Sequence, residues 1–275
     1  MVDSLALAIV QMASGGDVAA NVAAVRRLLA PVRERPGLVV LPEYVFGRGD
    51  RDAQRRLARP PADWCAVVAP LARECGAPVV AGGVPVAENG AIYDSALVVG
   101  VDGACLARYD KMHLFRLQDG ARVLHDEADT FAGGTRPVAF DLAGWRVGLS
   151  ICFDLRFPEL YRALGPCDLI LCPAAFTAPT GQAHWHVLLR ARAIENQCYV
   201  AAAAQYGPSP AGDVTHYGHA LCVDPWGEVV AEATDPADAL LTVSLQRARL
   251  CEVRNRLPAL ACRRPGLSGN RSGDM

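Results

Sequence analysis

Three reactive side chains each follow a short strand-like run of the sequence. They are Glu43 after Leu38 to Pro42, Lys111 after Leu106 to Asp110, and Cys152 after Val147 to Ile151. In open α/β folds, ligands bind outside the carboxyl ends of strands, where side chains from different strands converge. A glutamate, a lysine and a cysteine at such ends predict a site for covalent catalysis by a thiol.

The cysteine becomes a nucleophile by one of two routes. A nearby cation or a helix N-terminus lowers the pKa of a thiol, or a carboxylate accepts the thiol proton as a general base. The segment Pro158 to Ala163, with proline at an early position, is predicted to be helical. If the three side chains meet, Glu43 accepts the proton of Cys152, and Lys111 and the backbone N–H of Phe153 stabilise an oxyanion. This arrangement suits acyl transfer from an amide, through a thioester, to water.

Each of these residues also has an ordinary structural interpretation. A cysteine in an apolar strand usually packs as a small hydrophobic residue. Glu43 alone is compatible with a helix cap or a surface carboxylate, and Lys111 alone with a solvated lysine at a strand end. Because tens of residues separate the three, their spacing does not establish that they meet.

The apolar pattern predicts an α/β fold. Strand-like runs are Leu5 to Val10, Leu38 to Leu41, Val79 to Ala81, Ala96 to Val99, Val147 to Ile151, Leu169 to Leu171, Tyr199 to Ala203, Ala220 to Val223 and Leu240 to Val243. Helical spacing occurs in Val18 to Leu29, Trp64 to Cys75 and His186 to Gln197. The segments Asp94 to Val99 and Ala104 to Tyr109 predict a hairpin that turns at Val101 to Gly103, which favours a mixed sheet.

Composition and charge favour a small-molecule partner. The 275 residues are 52% hydrophobic and 20% charged, which allows a substantial core. A net charge of -2, with no basic run among aromatic residues, argues against a nucleic-acid partner. We expect residues 1–262 to form one domain. We expect residues 263–275, which are polar and rich in glycine and serine, to form a flexible tail.

The same patterns predict a cytoplasmic protein without a membrane partner. The first apolar stretch, Leu5 to Val10, is too short to span a bilayer, and later apolar runs are broken by glycine, proline or charge. The ten cysteines contain no CxxC pair, so we expect most of them to be reduced and buried.

Three longer motifs carry a family resemblance. They are Leu41 to Tyr44 (LPEY), Tyr109 to Phe115 (YDKMHLF) and Ile151 to Leu160 (ICFDLRFPEL), with supporting segments at His125 to Phe131 and Thr180 to Trp185. In type and chain order they are similar to the glutamate, lysine and cysteine motifs of the carbon-nitrogen hydrolases of the nitrilase superfamily. The similarity extends from near Leu5 to about Leu257.

The resemblance implies a fold, a mechanism and a further residue. It implies an α-β-β-α sandwich, subunits paired in a homodimer or a larger homo-oligomer, and a Cys-Glu-Lys hydrolase that needs no metal or organic cofactor. It also identifies Glu127 as a second active-site glutamate that positions Lys111 or the substrate. A carboxylate beside the lysine would keep its amine charged and oriented. Without the family motifs, Glu127 would be interpreted as a solvated loop carboxylate.

Segments in the second half of the chain indicate a branch of the superfamily. Arg190 to Val200, Tyr217 to Ala220 and Asp224 to Gly227 most resemble the branch that contains deaminated-glutathione amidase and ω-amidase. These enzymes hydrolyse the terminal amide of a 2-oxo acid or of its glutathione-derived relative and release ammonia. Arg156 is the candidate that binds a substrate carboxylate, since a guanidinium pairs bidentately with it. The alternative is a structural salt bridge from Arg156 to Glu159 or Asp154.

Five other interpretations remain open at this point. An N-carbamoyl amide hydrolase or a nitrilase proper would share the same three catalytic residues. A Cys-His hydrolase would use His113, His184 or His219, and would leave the glutamate and lysine motifs unexplained. A metal-binding module would use His184 and His186 with His216 and His219, a weak pattern without clustered cysteines or carboxylates. An inactive scaffold is disfavoured because all three catalytic residues are present.

Overall fold

The computed structural model describes residues 2–32, 35–210, 212 and 214–264. The strands in chain order are β1 (Ser4–Met12), β2 (Leu38–Val40), β3 (Val79–Glu88), β4 (Ala91–Val99), β5 (Cys105–Asp110), β6 (Arg116–Asp119), β7 (Arg122–Asp126), β8 (Val138–Leu142), β9 (Trp145–Leu149), β10 (Leu169–Leu171), β11 (Tyr199–Ala202), β12 (Ala204–Pro208), β13 (Thr215–Tyr217), β14 (Leu221–Val223), β15 (Val229–Glu232) and β16 (Ala239–Gln246). The helices are α1 (Val18–Leu29), α2 (Arg51–Leu57), α3 (Pro61–Cys75), α4 (Pro158–Ala163), α5 (Ala178–Asn196) and α6 (Arg247–Arg256).

The strands form two large sheets and a separate hairpin. The first sheet runs β13-β12-β1-β2-β3-β4-β5, and β16 also pairs with β1. The second sheet runs β15-β14-β11-β10-β9-β8, and β6 pairs with β7. The first sheet is mixed, because β1 and β2 are parallel whereas β3, β4 and β5 are joined antiparallel. The predicted hairpin is therefore confirmed as β4 and β5.

Alternation along β1 shows how the layers are built. Leu7 and Ile9 point into one core together with Val147 and Leu169 of the second sheet. Ala8 and Val10, at the intervening positions, point into another core with residues of α1 and α3. On the far side, Trp185 and Leu189 of α5 pack against the second sheet. The order helix, sheet, sheet, helix confirms the predicted α-β-β-α sandwich.

The predicted elements lie where the pattern placed them, with one notable difference at the start of a helix. Helix α5 begins at Ala178, about two turns before the predicted start at His186, because Pro179 occupies its first turn. The tail predicted for 263–275 falls almost entirely outside the described residues, as 265–275 are not among them. The boundary at residue 262 stays a prediction. Within the described part of the chain, no helix is both long and apolar enough to cross a bilayer.

Candidate active site

Lys111 lies at the centre of the site, one residue after β5. Its side chain is fully buried, and its Nζ donates hydrogen bonds to Glu43 Oε1 at 2.8 Å and to Glu127 Oε1 at 2.9 Å. Its backbone N–H is bound by the carbonyl of Asp94 on β4, which fixes the strand end. Burial acts to lower the pKa of Lys111, but Glu127 and Glu43 overcome it and raise the pKa well above its usual value. The amine is therefore held as an ammonium ion.

Glu43 follows β2 and is equally buried. Its second oxygen, Oε2, accepts the backbone N–H of Ala175 at 2.7 Å, and its own carbonyl accepts from Gln205 Nε2 at 2.9 Å. A Cβ at Gly83 would lie 2.7 Å from Glu43 Cγ, and Gly83 has a φ of +71°. Glycine is required there because any side chain would displace the carboxylate.

Glu127 is buried in a short 3-10 turn, Glu127–Asp129, rather than solvated in a loop. Its Oε1 accepts the Tyr44 hydroxyl at 2.9 Å in addition to the lysine, and its Oε2 accepts the backbone N–H of Phe115 at 2.7 Å. Burial raises the pKa of Tyr44 well above its usual value and Glu127 adds to this effect, so the phenol stays a donor. These bonds fix the carboxylate against the ammonium of Lys111.

Cys152 begins a 3-10 turn, Cys152–Arg156, after the end of β9. Its backbone has a φ of +47°, a left-handed conformation that is uncommon outside glycine. The backbone N–H donates to the carbonyl of Pro173 at 2.9 Å. Burial raises the pKa of the thiol, and Glu43 raises it further while Lys111 lowers it. The net direction is upward, so the resting group is a thiol, and a base must accept its proton.

Asp154 ties the cysteine turn to the lysine segment, a role that the sequence analysis missed. Its Oδ2 accepts the backbone N–H of Ile151 at 2.9 Å and the hydroxyl of Tyr109 at 2.7 Å. Its Oδ1 accepts the backbone N–H of His113 at 3.0 Å and lies 2.7 Å from His113 Nδ1. In the sequence, the only sign of this role is that polar residues interrupt the apolar segments around Tyr109 and Cys152.

A pocket of about 520 Å³ opens over the buried charges. Cys152, Phe153 and Arg156 line it, and so do Ser209 and Val214, which follow β12. The Arg156 guanidinium lies 5.6 Å from the Phe153 ring and 5.1 Å from the Phe176 ring. Its Nη1 lies 3.1 Å from His184 Nδ1.

The structural alternative for Arg156 is wrong. Among the described residues, Arg156 forms no salt bridge with Asp154 or Glu159, because Asp154 is already bound to Tyr109 and His113. The guanidinium instead faces the pocket, and burial lowers the pKa of Arg156 against the opposing effect of Cys152. The structure thus brings Glu43, Lys111, Glu127 and Cys152 together and leaves Arg156 at the mouth of the pocket.

The histidine motifs do not form the predicted pairs. His184 lies beside Arg156 and His216 beside Arg48, whereas His186 and His219 meet around Glu232. Glu232 Oε1 lies 2.8 Å from His186 Nε2 and 2.6 Å from His219 Nδ1. The imidazole nitrogens and the carboxylate oxygen of these three side chains are of the kinds that bind a cation, but here they form hydrogen bonds with one another. They line no part of the pocket.

Comparison with known proteins agrees with this geometry. Residues 6–255 match the family model described as carbon-nitrogen hydrolase. The chain is 38% identical over 263 residues to the deaminated glutathione amidase of Synechocystis, covering 92% of this chain and 96% of that protein. It is 37% identical over 199 residues to human omega-amidase NIT2, covering 72% of this chain and 71% of that protein.

A solved structure extends the comparison to the fold. A carbon-nitrogen hydrolase superfamily protein from Xanthomonas campestris, with an arsenic adduct in its active site, has a TM-score of 0.85 and 28% identity. The match covers 98% of this chain and 100% of that one. These findings confirm the resemblance that the motifs carried. The chain belongs to the carbon-nitrogen hydrolase family and is an enzyme that hydrolyses carbon–nitrogen bonds other than peptide bonds.

Proposed function

We propose that the chain is a cysteine-dependent amidase that hydrolyses the terminal amide of a small carboxylate-bearing substrate and releases ammonia. The substrate class is deaminated glutathione or a 2-oxo-acid amide. The observation that carries the proposal is the contact of Lys111 Nζ with both Glu43 and Glu127 beneath a pocket that Cys152 lines. The names of relatives in this branch, deaminated glutathione amidase and omega-amidase, support the substrate class.

In the proposed mechanism, Glu43 is the base and Cys152 the nucleophile. Because the raised pKa keeps the thiol protonated, Glu43 takes its proton as Sγ attacks the amide carbon. The carbonyl oxygen becomes an oxyanion that accepts a hydrogen bond from Lys111 and one from the backbone N–H of Phe153. An ammonium group has three donors, and the two carboxylates use two of them.

The same groups complete the turnover. The intermediate collapses, the C–N bond breaks, and Glu43 returns its proton to the leaving nitrogen, so that ammonia departs and a thioester remains on Cys152. Water then attacks the thioester carbon while Glu43 accepts a proton from it. The C–S bond breaks, the sulfur regains that proton, and the carboxylic acid is released. Glu127 holds Lys111 in place during both the formation and the hydrolysis of the thioester.

Arg156 is the proposed anchor for the substrate carboxylate. Its guanidinium is half-buried against two aromatic rings and pairs with no carboxylate among the described residues. A desolvated guanidinium at the mouth of an active site binds a carboxylate through two parallel hydrogen bonds. Binding of the substrate carboxylate by Arg156 would position the other end of the substrate so that its amide lies over Cys152.

We further propose a homodimer in the cytoplasm. On α5, Val187 is 67% and Ile194 47% exposed, and Trp226 nearby is 38% exposed, an apolar surface suited to a second copy of the chain. None of the ten cysteines is paired, which suits a reducing compartment. Light scattering of purified protein measures the subunit number, and a purely monomeric mass would contradict the dimer.

Ammonia release from a panel of substrates tests the function. The panel holds deaminated glutathione, 2-oxo-acid amides, N-carbamoyl amino acids and nitriles, assayed with wild type, Cys152→Ala and the control Cys251→Ala, which alters an exposed cysteine of α6. We expect turnover of the carboxylate-bearing amides that disappears in Cys152→Ala and persists in the control. Equal activity of wild type and Cys152→Ala would exclude the thiol mechanism.

The panel also tests the substrate anchor. In Arg156→Met, we expect KM for carboxylate-bearing amides to rise about 30-fold with a smaller change in kcat, because a charge-assisted bidentate pair is lost. Neutral amides of the same length serve as matched substrates, and their kcat/KM should change little. Preference of the wild type for nitriles or N-carbamoyl compounds would replace the amide proposal with one of those reactions.

A further inference from the structure

Three carboxyl groups surround one ammonium group in the active site. Glu43, Asp94 and Glu127 offer oxygens that lie within 4.8 Å of one another. Lys111 Nζ lies 2.8 Å from Glu43 Oε1, 2.8 Å from Glu127 Oε2 and 3.4 Å from Asp94 Oδ2. If all three acids were ionised, this buried group would carry two uncompensated negative charges. Buried acids in that situation retain a proton, because desolvation of a charge costs more than protonation.

The hydrogen bonds of the two glutamates favour their ionised forms. Glu127 accepts from Lys111, from the Tyr44 hydroxyl and from a backbone N–H. Glu43 accepts from Lys111 and from the backbone N–H of Ala175. Each donor stabilises the negative form of the group that accepts from it. Neither glutamate is therefore the acid that keeps the proton.

Asp94 has the opposite surroundings. Its side chain is fully buried, and neither of its oxygens accepts a hydrogen bond from the described residues. Its contact with Lys111 is an ion-pair distance without hydrogen-bond geometry. Burial raises the pKa of Asp94 well above its usual value; Lys111 opposes this effect, and Glu43 and Glu127 add to it. These surroundings favour the neutral acid.

We propose that Asp94 is held as a neutral carboxylic acid that keeps its proton and donates a hydrogen bond through it to Glu43, which makes it a positioning residue for the base. This rests on the role proposed above for Glu43. The two side chains pack together over Gly83, since a Cβ there would lie 2.7 Å from both Asp94 Oδ1 and Glu43 Cγ. Only the protonated form of an aspartate is a donor. The titratable groups that face Asp94 are Glu43, Tyr44, Lys111 and Glu127.

The neutral acid explains how the base stays available. It gives Glu43 a third donor and adds no negative charge beside Lys111. Glu43 therefore remains ionised and able to accept the thiol proton, while the ammonium keeps its charge for the oxyanion. An ionised Asp94 would instead repel Glu43 and hold it protonated at higher pH.

Infrared difference spectroscopy tests the protonation state without a substrate. At neutral pH, solvated carboxyl groups are ionised, so we expect wild type to show one protonated-carboxyl band that disappears in Asp94→Asn. The band should persist in the control Asp141→Asn, whose side chain is 74% exposed. Absence of the band from wild type, or its survival in Asp94→Asn, overturns the proposal. Because no turnover is needed, this result is independent of the proposed amidase activity.

The pH profile of kcat/KM tests the coupling to Glu43. Asp94→Leu removes the donor, so we expect the acid limb to move up by about one pH unit and kcat/KM at pH values below that limb to fall about tenfold. Asp94→Asn, whose amide N–H donates in the same place, should recover most of the loss. If Asp94 is ionised, both variants remove a repelling charge and move the acid limb down, which overturns the proposal. Wild type inactive on every amide would refute the proposed function and leave the infrared result standing.

Discussion

Two clusters of acidic and basic side chains in this molecule differ chiefly in their exposure to water. Lys111 and Glu43 have side chains that are 0% and 1% exposed. In the cluster of Glu232 with His186 and His219, the corresponding values are 22%, 32% and 27%. Water screens the Glu232 cluster and hydrates its side chains whenever one of their contacts opens. Lys111 and Glu43 are buried, so water cannot replace a contact that they lose. The buried cluster therefore fixes the charge on each member, and the exposed cluster stabilises the fold only slightly.

Removal of Lys111 should have the largest effect. Lys111→Met leaves Glu43 and Glu127 buried without a cation, so we expect no detectable turnover and a loss of about 3 kcal/mol in the free energy of unfolding. Urea unfolding measures the stability. The control is Arg26→Met, which breaks a solvent-exposed pair with Glu74 and should leave the free energy of unfolding almost unchanged. Equal losses in the two variants would contradict the comparison.

A smaller change loosens the buried cluster without removing a charge. Tyr44→Phe deletes the hydroxyl that donates to Glu127, and the glutamate keeps its bonds to Lys111 and Phe115. We expect kcat to fall about fivefold and stability to fall by about 1 kcal/mol. Tyr93→Phe on β4 removes a phenolic hydroxyl elsewhere and serves as the control. An unchanged kcat in Tyr44→Phe would show that this bond does not hold the lysine in place.

The exposed cluster should give the smallest effect. Glu232→Gln should lower stability at neutral pH by at most about 1 kcal/mol and should leave kcat unchanged. Burial acts to raise the pKa of Glu232, but the hydrogen bonds from His219 and His186 lower it below its usual value of 4.5. A lowered pKa contributes stability above the unfolded value, and this contribution is lost as the pH falls through the folded value. Unfolding at pH 7 and at pH 3 should therefore show a difference between wild type and variant only at pH 7.

Sequence patterns predicted the residues at strand ends better than those inside strands. Glu43, Lys111 and Cys152 each follow a strand-like run, and a reactive residue after such a run is visible in the sequence. Asp94 lies within β4, where alternation makes any polar residue look like an outward-facing one. Asp94 faces the active site because β4 pairs with β3 and lies across Gly83 of that strand from Glu43, and this placement depends on the whole sheet.

Elements with weak patterns were missed for a related reason. Helix α6, Arg247–Arg256, is rich in arginine and buries little beyond Leu250 and Val253, so its apolar periodicity is faint. The hairpin of β6 and β7 is mostly exposed and carries no continuous apolar face. Both were assigned no structure because tertiary contacts, rather than local pattern, define them.

The bond between Tyr109 and Asp154 has a consequence for the folding of the chain. Tyr109 belongs to β5 of the first sheet, and Asp154 follows β9 of the second, so the 2.7 Å hydrogen bond forms only after the two sheets dock. Before docking, Lys111 and Cys152 lie on different sheets, so the partly folded chain has no assembled catalytic centre. During refolding, catalytic activity should therefore return later than the burial of either sheet alone. The rate at which activity returns would measure the docking of the two sheets.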